Sequence, residues 1–307
     1  MSQKKSILVV CGPTGSGKTS FALSLAEKYP LEIISADSRQ VYRQMDIGTA
    51  KPTVEEQAAV PHHMIDLIDP DQEFSVAAFN ESAHPVIESI AKRGHLPCVV
   101  GGTGLYIKTL LGGMADLPSG DEELRCRLHT KEQTQGEGSL YRELQKVDPE
   151  TAAQIHPHNL IRTVRALEVY ELSGRKLSEL KAEHRFSDQK YRVLKFGLQW
   201  RREDLYSRID ARTDEMLAAG LVAEVRGLVE SYSFDLKALK TLGYREVVRF
   251  LKGEISERQM IEDIQKLTRH YAKRQLTWFT KDPEIIWVDS STESGKVIQS
   301  IDNFILR

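Results

Sequence analysis

The stretch ILVVCGPTGSGKTSFALSLAEKY, residues 7–29, confines this chain to a narrow set of folds. An apolar run leads into Gly12, Pro13, Thr14, Gly15, Ser16, Gly17, Lys18 and Thr19, which satisfy G-x-x-x-x-G-K-[ST], and a helical pattern follows. Glycines in such a turn let backbone N–H groups converge on phosphate oxygens, Lys18 adds a point charge, and the Thr19 hydroxyl suits Mg²⁺. The spacing therefore predicts a strand, a phosphate-holding loop and a helix. It does not say what the phosphates are attached to.

Short apolar runs recur as SILVVC, LEIIS, LPCVVGG, RVLKFGL and EIIWVD, separated by helical patterns. This is the mark of a parallel sheet covered on both faces, and we read five parallel strands. The fold class expected is α/β: a P-loop NTPase-like sheet flanked by helices, formed by residues 1–114 and 191–307. Residues 115–190 show helical periodicity, loop breaks and no convincing strand, and read as an all-helical insertion domain. Within it, TKEQTQGEGS reads as a loop, and the helix in NLIRTVRALEVYELSG closes at Gly174. Hydrophobic residues make up 40% and charged residues 28% of the 307, enough for a substantial core. The net charge of -2 argues against nonspecific coating of nucleic acid but leaves room for a local basic face. The three cysteines, Cys11, Cys98 and Cys126, show no paired short spacing. A reducing cytoplasm, no membrane association and a monomer are the expectations.

A hydrolytic motor protein carries an acid at the end of a neighbouring strand, whereas the third strand here ends CVVGGTGLY. Asp37 follows the second strand at once, where carboxylates face ligands in open α/β sheets. It reads as a general base or, more blandly, as a turn or cap aspartate. Arg208 and Arg212 in SRIDAR share a helix face, either as phosphate ligands or as a solvated stripe. Lys266, Arg269, His270, Lys273 and Arg274, interleaved with Tyr271 and Trp278, form either a solvated face or a nucleic-acid surface. His62 and His63 with Asp66 and Asp69 look like a metal cluster, but adjacent strand histidines point to opposite faces.

Seven blocks, GPTGSGKT, ISADSRQVYRQMDIGTAKP, PHHMID, VVGGTGLYIKTLL, QIHPHNLIRTVRALEVY, LGYREV and YAKRQLTWF, run in order between Cys11 and Phe279. Together they resemble the tRNA dimethylallyltransferases of bacterial type, which prenylate N6 of the adenosine next to the anticodon. The resemblance implies that residues 12–19 hold the diphosphate of dimethylallyl diphosphate as a leaving group, with Arg208 assisting and Thr19 ligating Mg²⁺. It implies catalytic roles for Asp37 as base, for Thr103 at the reacting centre and for Arg212 on the diphosphate. Contacts to the tRNA anticodon stem-loop are implied for Asp37, Ser38, Arg39, Gln40, Thr103, Arg125, Ile161, Arg162, Arg165, Thr241, Gly243, Tyr244, Arg245, Lys273 and Arg274. Two rivals remain from the residues alone: a P-loop small-molecule kinase, and a noncatalytic RNA-binding module.

Overall fold

The computed structural model describes residues 4–184, 190–289 and 294–306. The chain divides into two compact units, residues 1–110 with 190–307, and residues 111–189. The first unit opens with β1 (Lys5–Cys11), α1 (Lys18–Ala26), β2 (Leu31–Ser35), α2 (Val54–Ala59), β3 (His62–His63), α3 (Val76–Lys92) and β4 (Leu96–Gly101), and α4 (Gly104–Gly112) leads out of it. The second unit holds α5 (Glu122–Gln135), α6 (Ser139–Val147), α7 (Pro149–Ala153), α8 (Leu160–Ser173) and α9 (Leu177–His184). The chain then returns through β5 (Tyr191–Leu198), α10 (Arg202–Ala218), α11 (Leu221–Ser231), α12 (Tyr244–Leu251), α13 (Glu257–Phe279), β6 (Ile285–Val288) and α14 (Ser294–Ile305).

The strands form one six-stranded sheet in the order β3-β2-β4-β1-β5-β6, every pairing parallel. The expected α/β class with a parallel sheet stands; the strand count does not. His62 and His63 form a sixth, edge strand beside Ile33 and Ile34, too short for any apolar periodicity to announce it. β1 lies inside the sheet, with Ile7 to Val10 wholly buried, which is why its sequence is continuously rather than alternately apolar. Leu8, Val10, Phe21, Leu25, Phe196 and Ile301 pack into one core. A second core joins Val41 and Met45 to Val225, Tyr244 and Val247.

The helical unit has its own core of Leu124, Leu128, Leu140, Leu144, Val164 and Leu167. The segment read as a loop at TKEQTQGEGS is mostly helix, because α5 continues to Gln135 and only Gly136–Gly138 break it. Thr130 and Thr134 return their hydroxyls to the carbonyls of Cys126 and Thr130, so these polar residues keep the helix rather than compete with it. Gly174 closes α8 at φ +69°, as its spacing implied.

At the edge, a single carboxylate ties three segments together. Glu32 of β2 is 3% exposed, and it accepts hydrogen bonds from His63 (2.7 Å), from His95 (2.8 Å) and from Arg93 (2.7 and 3.0 Å). Burial works to raise its pKa, but these bonds together outweigh it and hold the carboxyl at about 2. A depressed carboxyl stabilises the fold above its unfolded pKa and loses that contribution as pH falls towards 2. Glu32→Gln is expected to lower stability by about 1–3 kcal/mol at neutral pH. In thermal melts, the difference from wild type should shrink steadily below about pH 4.5; a difference independent of pH would contradict the assignment.

Candidate active site

The phosphate loop begins where β1 stops at Cys11 and ends where α1 starts at Lys18. Gly17, at φ +82°, occupies the N-cap position, so no side chain caps α1 and its first N–H groups stay open to a ligand. Gly15, at φ +79°, is pressed by α10: a Cβ there would lie 2.9 Å from Ile209 Cγ1. Pro13 has no N–H to offer, and its carbonyl accepts from Lys18 Nζ at 2.7 Å and from Ser16 N–H at 3.3 Å. Ser16 Oγ is buried with no hydrogen-bond partner among the described residues.

α10 supplies the cations. Arg208 Nε donates to Gly15 O at 2.9 Å, and its guanidinium lies 4.3 Å over the Trp200 ring, whose Nε1 donates to Ser16 O at 3.0 Å. Arg212 Nη1 donates to Thr14 Oγ1 at 3.2 Å. The two arginines therefore face the loop rather than form a solvated stripe. Burial first, and Arg212 second, lower Lys18 to about 8; burial also lowers Arg212, against the pull of Asp37 and Glu215. Such crowding of like charge calls for an anion between them.

The ends of β2 and β4 form the opposite wall. Ala36 N–H donates to Val100 O at 2.8 Å, and Thr103 N–H returns to Ala36 O at 3.1 Å. A Cβ on Gly101 would sit 2.2 Å from Ala36 O, so this crossing needs the glycine. Thr103 Oγ1 accepts from Ser38 N–H at 3.1 Å, and Asp37 Oδ1 accepts from Arg39 N–H at 2.8 Å. Asp37, Lys18, Thr19, Arg208 and Arg212 all line one cleft of about 1390 Å³. No group of three or more His, Cys, Asp and Glu able to hold a metal occurs among the described residues, and His63 is engaged by Glu32. No described helix is long and apolar enough to cross a membrane.

Against this geometry, a family model described as IPP transferase matches residues 40–282, and one described as isopentenyl transferase matches residues 5–66. The chain belongs to the IPP transferase family. It is 53% identical over 300 residues, 97% of its length and 96% of the relative's, to a tRNA dimethylallyltransferase 1 of Syntrophotalea carbinolica. Among solved structures it is similar to the tRNA isopentenylpyrophosphate transferase of Bacillus halodurans, at 39% identity and TM-score 0.72, covering 99% and 96% of the two chains. A eukaryotic dimethylallyltransferase acting on tRNA gives a TM-score of 0.83 at 30% identity, covering 98% of this chain and 79% of that one.

In this IPP transferase the residues expected at an RNA surface fall into distinct settings. Arg39, Lys273 and Arg274 are exposed, and Arg274 lies 5.6 Å from the Tyr271 ring centre. Gln40 is locked instead, accepting from Ser35 Oγ and donating to the carbonyls of Thr49 and Ala50. Thr241 is buried on the cleft wall, its hydroxyl unpartnered among the described residues. Gly243 N–H donates to Glu246, which also holds Arg245 at 2.6 Å.

Tyr244 corrects the expectation of an RNA contact through its side chain. The ring is wholly buried, and its hydroxyl donates to Glu224 at 2.5 Å. Glu224 in turn accepts from the N–H groups of Asp46, Ile47 and Gly48, so Tyr244 braces the cleft loop from beneath. In the helical unit Ile161 and Arg162 are exposed, whereas Arg125 and Arg165 both grip buried Glu168, at 2.8 and 2.6 Å.

Sequence reasoning missed Trp200, Glu224 and Lys51. Lys51 Nζ bonds Tyr42 O at 2.9 Å and Asp66 at 2.6 Å, and also bonds Asp46, fixing the loop that begins at Asp46. Nothing local distinguishes Trp200, whose carbonyl partner lies 184 residues away, or Glu224, which holds N–H groups 176 to 178 residues away.

The low Lys18 value has a binding consequence. Its ammonium is lost in the free protein as pH rises through about 8, and an anionic ligand favours the charged form. Affinity for an alkyl diphosphate, measured by calorimetry, is expected to be level below about pH 7 and to fall roughly tenfold or more by about pH 10. Lys18→Met should bind weakly with a flat profile across that range. Parallel curves for the two proteins would contradict the assignment.

Proposed function

We propose that this chain transfers the dimethylallyl group of dimethylallyl diphosphate to tRNA, at N6 of the adenosine adjacent to the anticodon, and releases diphosphate. One observation carries the reading: an uncapped glycine cradle with Lys18, Arg208 and Arg212 shares a single cleft with the Asp37 carboxylate. Membership of the IPP transferase family and the names of the relatives support the same activity. The setting for that chemistry is the cytoplasm, where tRNA is modified.

In the reaction the allylic C–O bond breaks and its electron pair leaves with the diphosphate. The α1 N–H groups, Lys18, Arg208 and Arg212 stabilise that growing negative charge, an effect for which one donor typically contributes about 10²- to 10³-fold. The incoming amine is a poor nucleophile because its lone pair is delocalised into the purine. Asp37 takes its proton as the C–N bond forms, and Thr103 fixes the backbone that presents Asp37. Positioned bases contribute about 10²- to 10⁴-fold.

Thr19 lines the cleft, and its hydroxyl would hold a Mg²⁺ ion. A bound Mg²⁺ supplies further neutralisation of the departing diphosphate. The exposed Arg39, Lys273 and Arg274 offer the tRNA anticodon stem-loop a docking face on the first unit; on the helical unit, Ile161 and Arg162 are exposed candidates for RNA contact. Extruding the target adenine costs a few kcal/mol, least in unpaired RNA.

The test is the mass of nucleosides from tRNA treated with the protein and dimethylallyl diphosphate: adenosine is expected to gain one five-carbon unit, and label passing from ATP instead would sink the proposal. Asp37→Asn should slow transfer by about 10²- to 10⁴-fold while leaving both substrates bound. Unchanged turnover removes Asp37 from its role. The tRNA affinity is expected to drop steeply between low and moderate salt, in proportion to the phosphates contacted; filter binding across a salt series reads this, and a level response contradicts the basic docking face.

A further inference from the structure

Gln275 lies on α13 among buried apolar neighbours, Ala272 and Phe279, and is itself 7% exposed. Its amide joins the two walls of the cleft. Oε1 accepts from Thr14 N–H at 2.8 Å, and Nε2 donates to Gly102 O at 2.9 Å. A carboxamide offers an acceptor and a donor at the same terminus, and both are used here. Thr14 belongs to the phosphate cradle. Gly102 directly precedes Thr103, whose N–H and hydroxyl hold Ala36 and Ser38 on either side of Asp37. A Cβ on Gly102 would fall 2.2 Å from Gln275 Nε2, so the amide also explains why the second glycine of GGT is bare.

We propose that Gln275 is a positioning residue for the prenyl transfer, setting the separation between the cradle that holds the departing diphosphate and the strand-end turn that presents Asp37. The inference rests on the transferase reading above. Displacement at the allylic carbon needs the leaving oxygen and the entering nitrogen on opposite sides at a fixed spacing. A misplacement of about 1 Å costs on the order of 10²-fold in rate. The Gln275 bridge is a direct side-chain link between these two segments, running through two hydrogen bonds from Thr14 to Gly102. Removing it leaves the part-buried Thr14 N–H and the buried Gly102 carbonyl without these partners and relaxes the spacing.

The experiment compares single-turnover transfer rates at saturating substrates with equilibrium binding of dimethylallyl diphosphate and tRNA, in the full-length protein. Gln275→Leu, which keeps the volume and loses both bonds, is expected to slow transfer about 10- to 100-fold with each dissociation constant within about threefold. Gln275→Glu keeps the acceptor for Thr14 but sets an oxygen against the Gly102 carbonyl, and should be similarly slow. Gly102→Ala displaces the amide and should reproduce the defect, with the Gly102→Ala/Gln275→Leu double variant no slower than the worse single variant. If Gln275→Leu does not fold, the Glu and Gly102 variants carry the test.

Transfer within twofold of wild type in the folded variants overturns the proposal. So does a defect confined to diphosphate affinity, or rate losses that multiply in the double variant. Wild-type protein that forms no prenylated adenosine would instead overturn the transferase reading beneath it, so the two failures are distinguishable.

Discussion

Positive charge gathered around neutral backbone is the constraint on which the rest of this structure depends. Lys18, Arg208 and Arg212 each donate to a carbonyl or hydroxyl of residues 13–15, and none of the three is paired with a carboxylate among the described residues. The repulsion between Lys18 and Arg212, and their removal from water, are offset in part by Asp37 and Glu215, and an entering anion offsets them further. The demand explains the bare glycines, since side chains at Gly15 or Gly17 would occupy the space where backbone, cation and ligand meet. It also explains why Trp200 is placed as a platform beneath Arg208, holding a charge in position without neutralising it.

The parallel sheet turns that charged loop into a site for group transfer. With β1 between β4 and β5, the carboxyl ends of β1, β4 and β2 open onto one cleft, the usual place for ligands in such sheets. The Gly101 crossing brings the β4 end within contact of Ala36, and Thr103 then closes hydrogen bonds on both sides of Asp37. Farther out, Glu224 and Tyr244 brace residues 46–48 from two helices. A carboxylate thus shares the cleft with a cationic cradle, presented by a turn that is held by backbone hydrogen bonds and by the Gln275 side chain.

How much of this could be read beforehand follows from how local each interaction is. The strand, loop and helix around residues 12–19 are written in consecutive residues, so motif and conformation coincide. Asp37 could be placed at the cleft because the end of β2 is marked by an apolar run, whereas Thr103 came only from the resemblance. β3 escaped because two residues carry no period, and the polar end of α5 escaped because Thr130 and Thr134 bond back along the helix instead of breaking it. Tyr244, implied as an RNA contact by the resemblance, instead lies in a core with Val41, Met45 and Val225 from distant segments, its hydroxyl held by Glu224 on another helix. Gln275 left one faint trace, a polar residue in the apolar stripe of Ala272 and Phe279, yet nothing in the stripe names Thr14 and Gly102 as its partners.

In the proposed reaction the cradle grips a leaving diphosphate while Asp37 faces the entering amine. A crystal structure with a nonreactive thio analogue of dimethylallyl diphosphate and an anticodon stem-loop tests it most directly. Both phosphates are expected on the N–H groups at the start of α1, within reach of Lys18 and Arg212, with an extruded adenine whose N6 hydrogen-bonds Asp37. Phosphates bound away from this loop, or an adenine turned from that carboxylate, would contradict it.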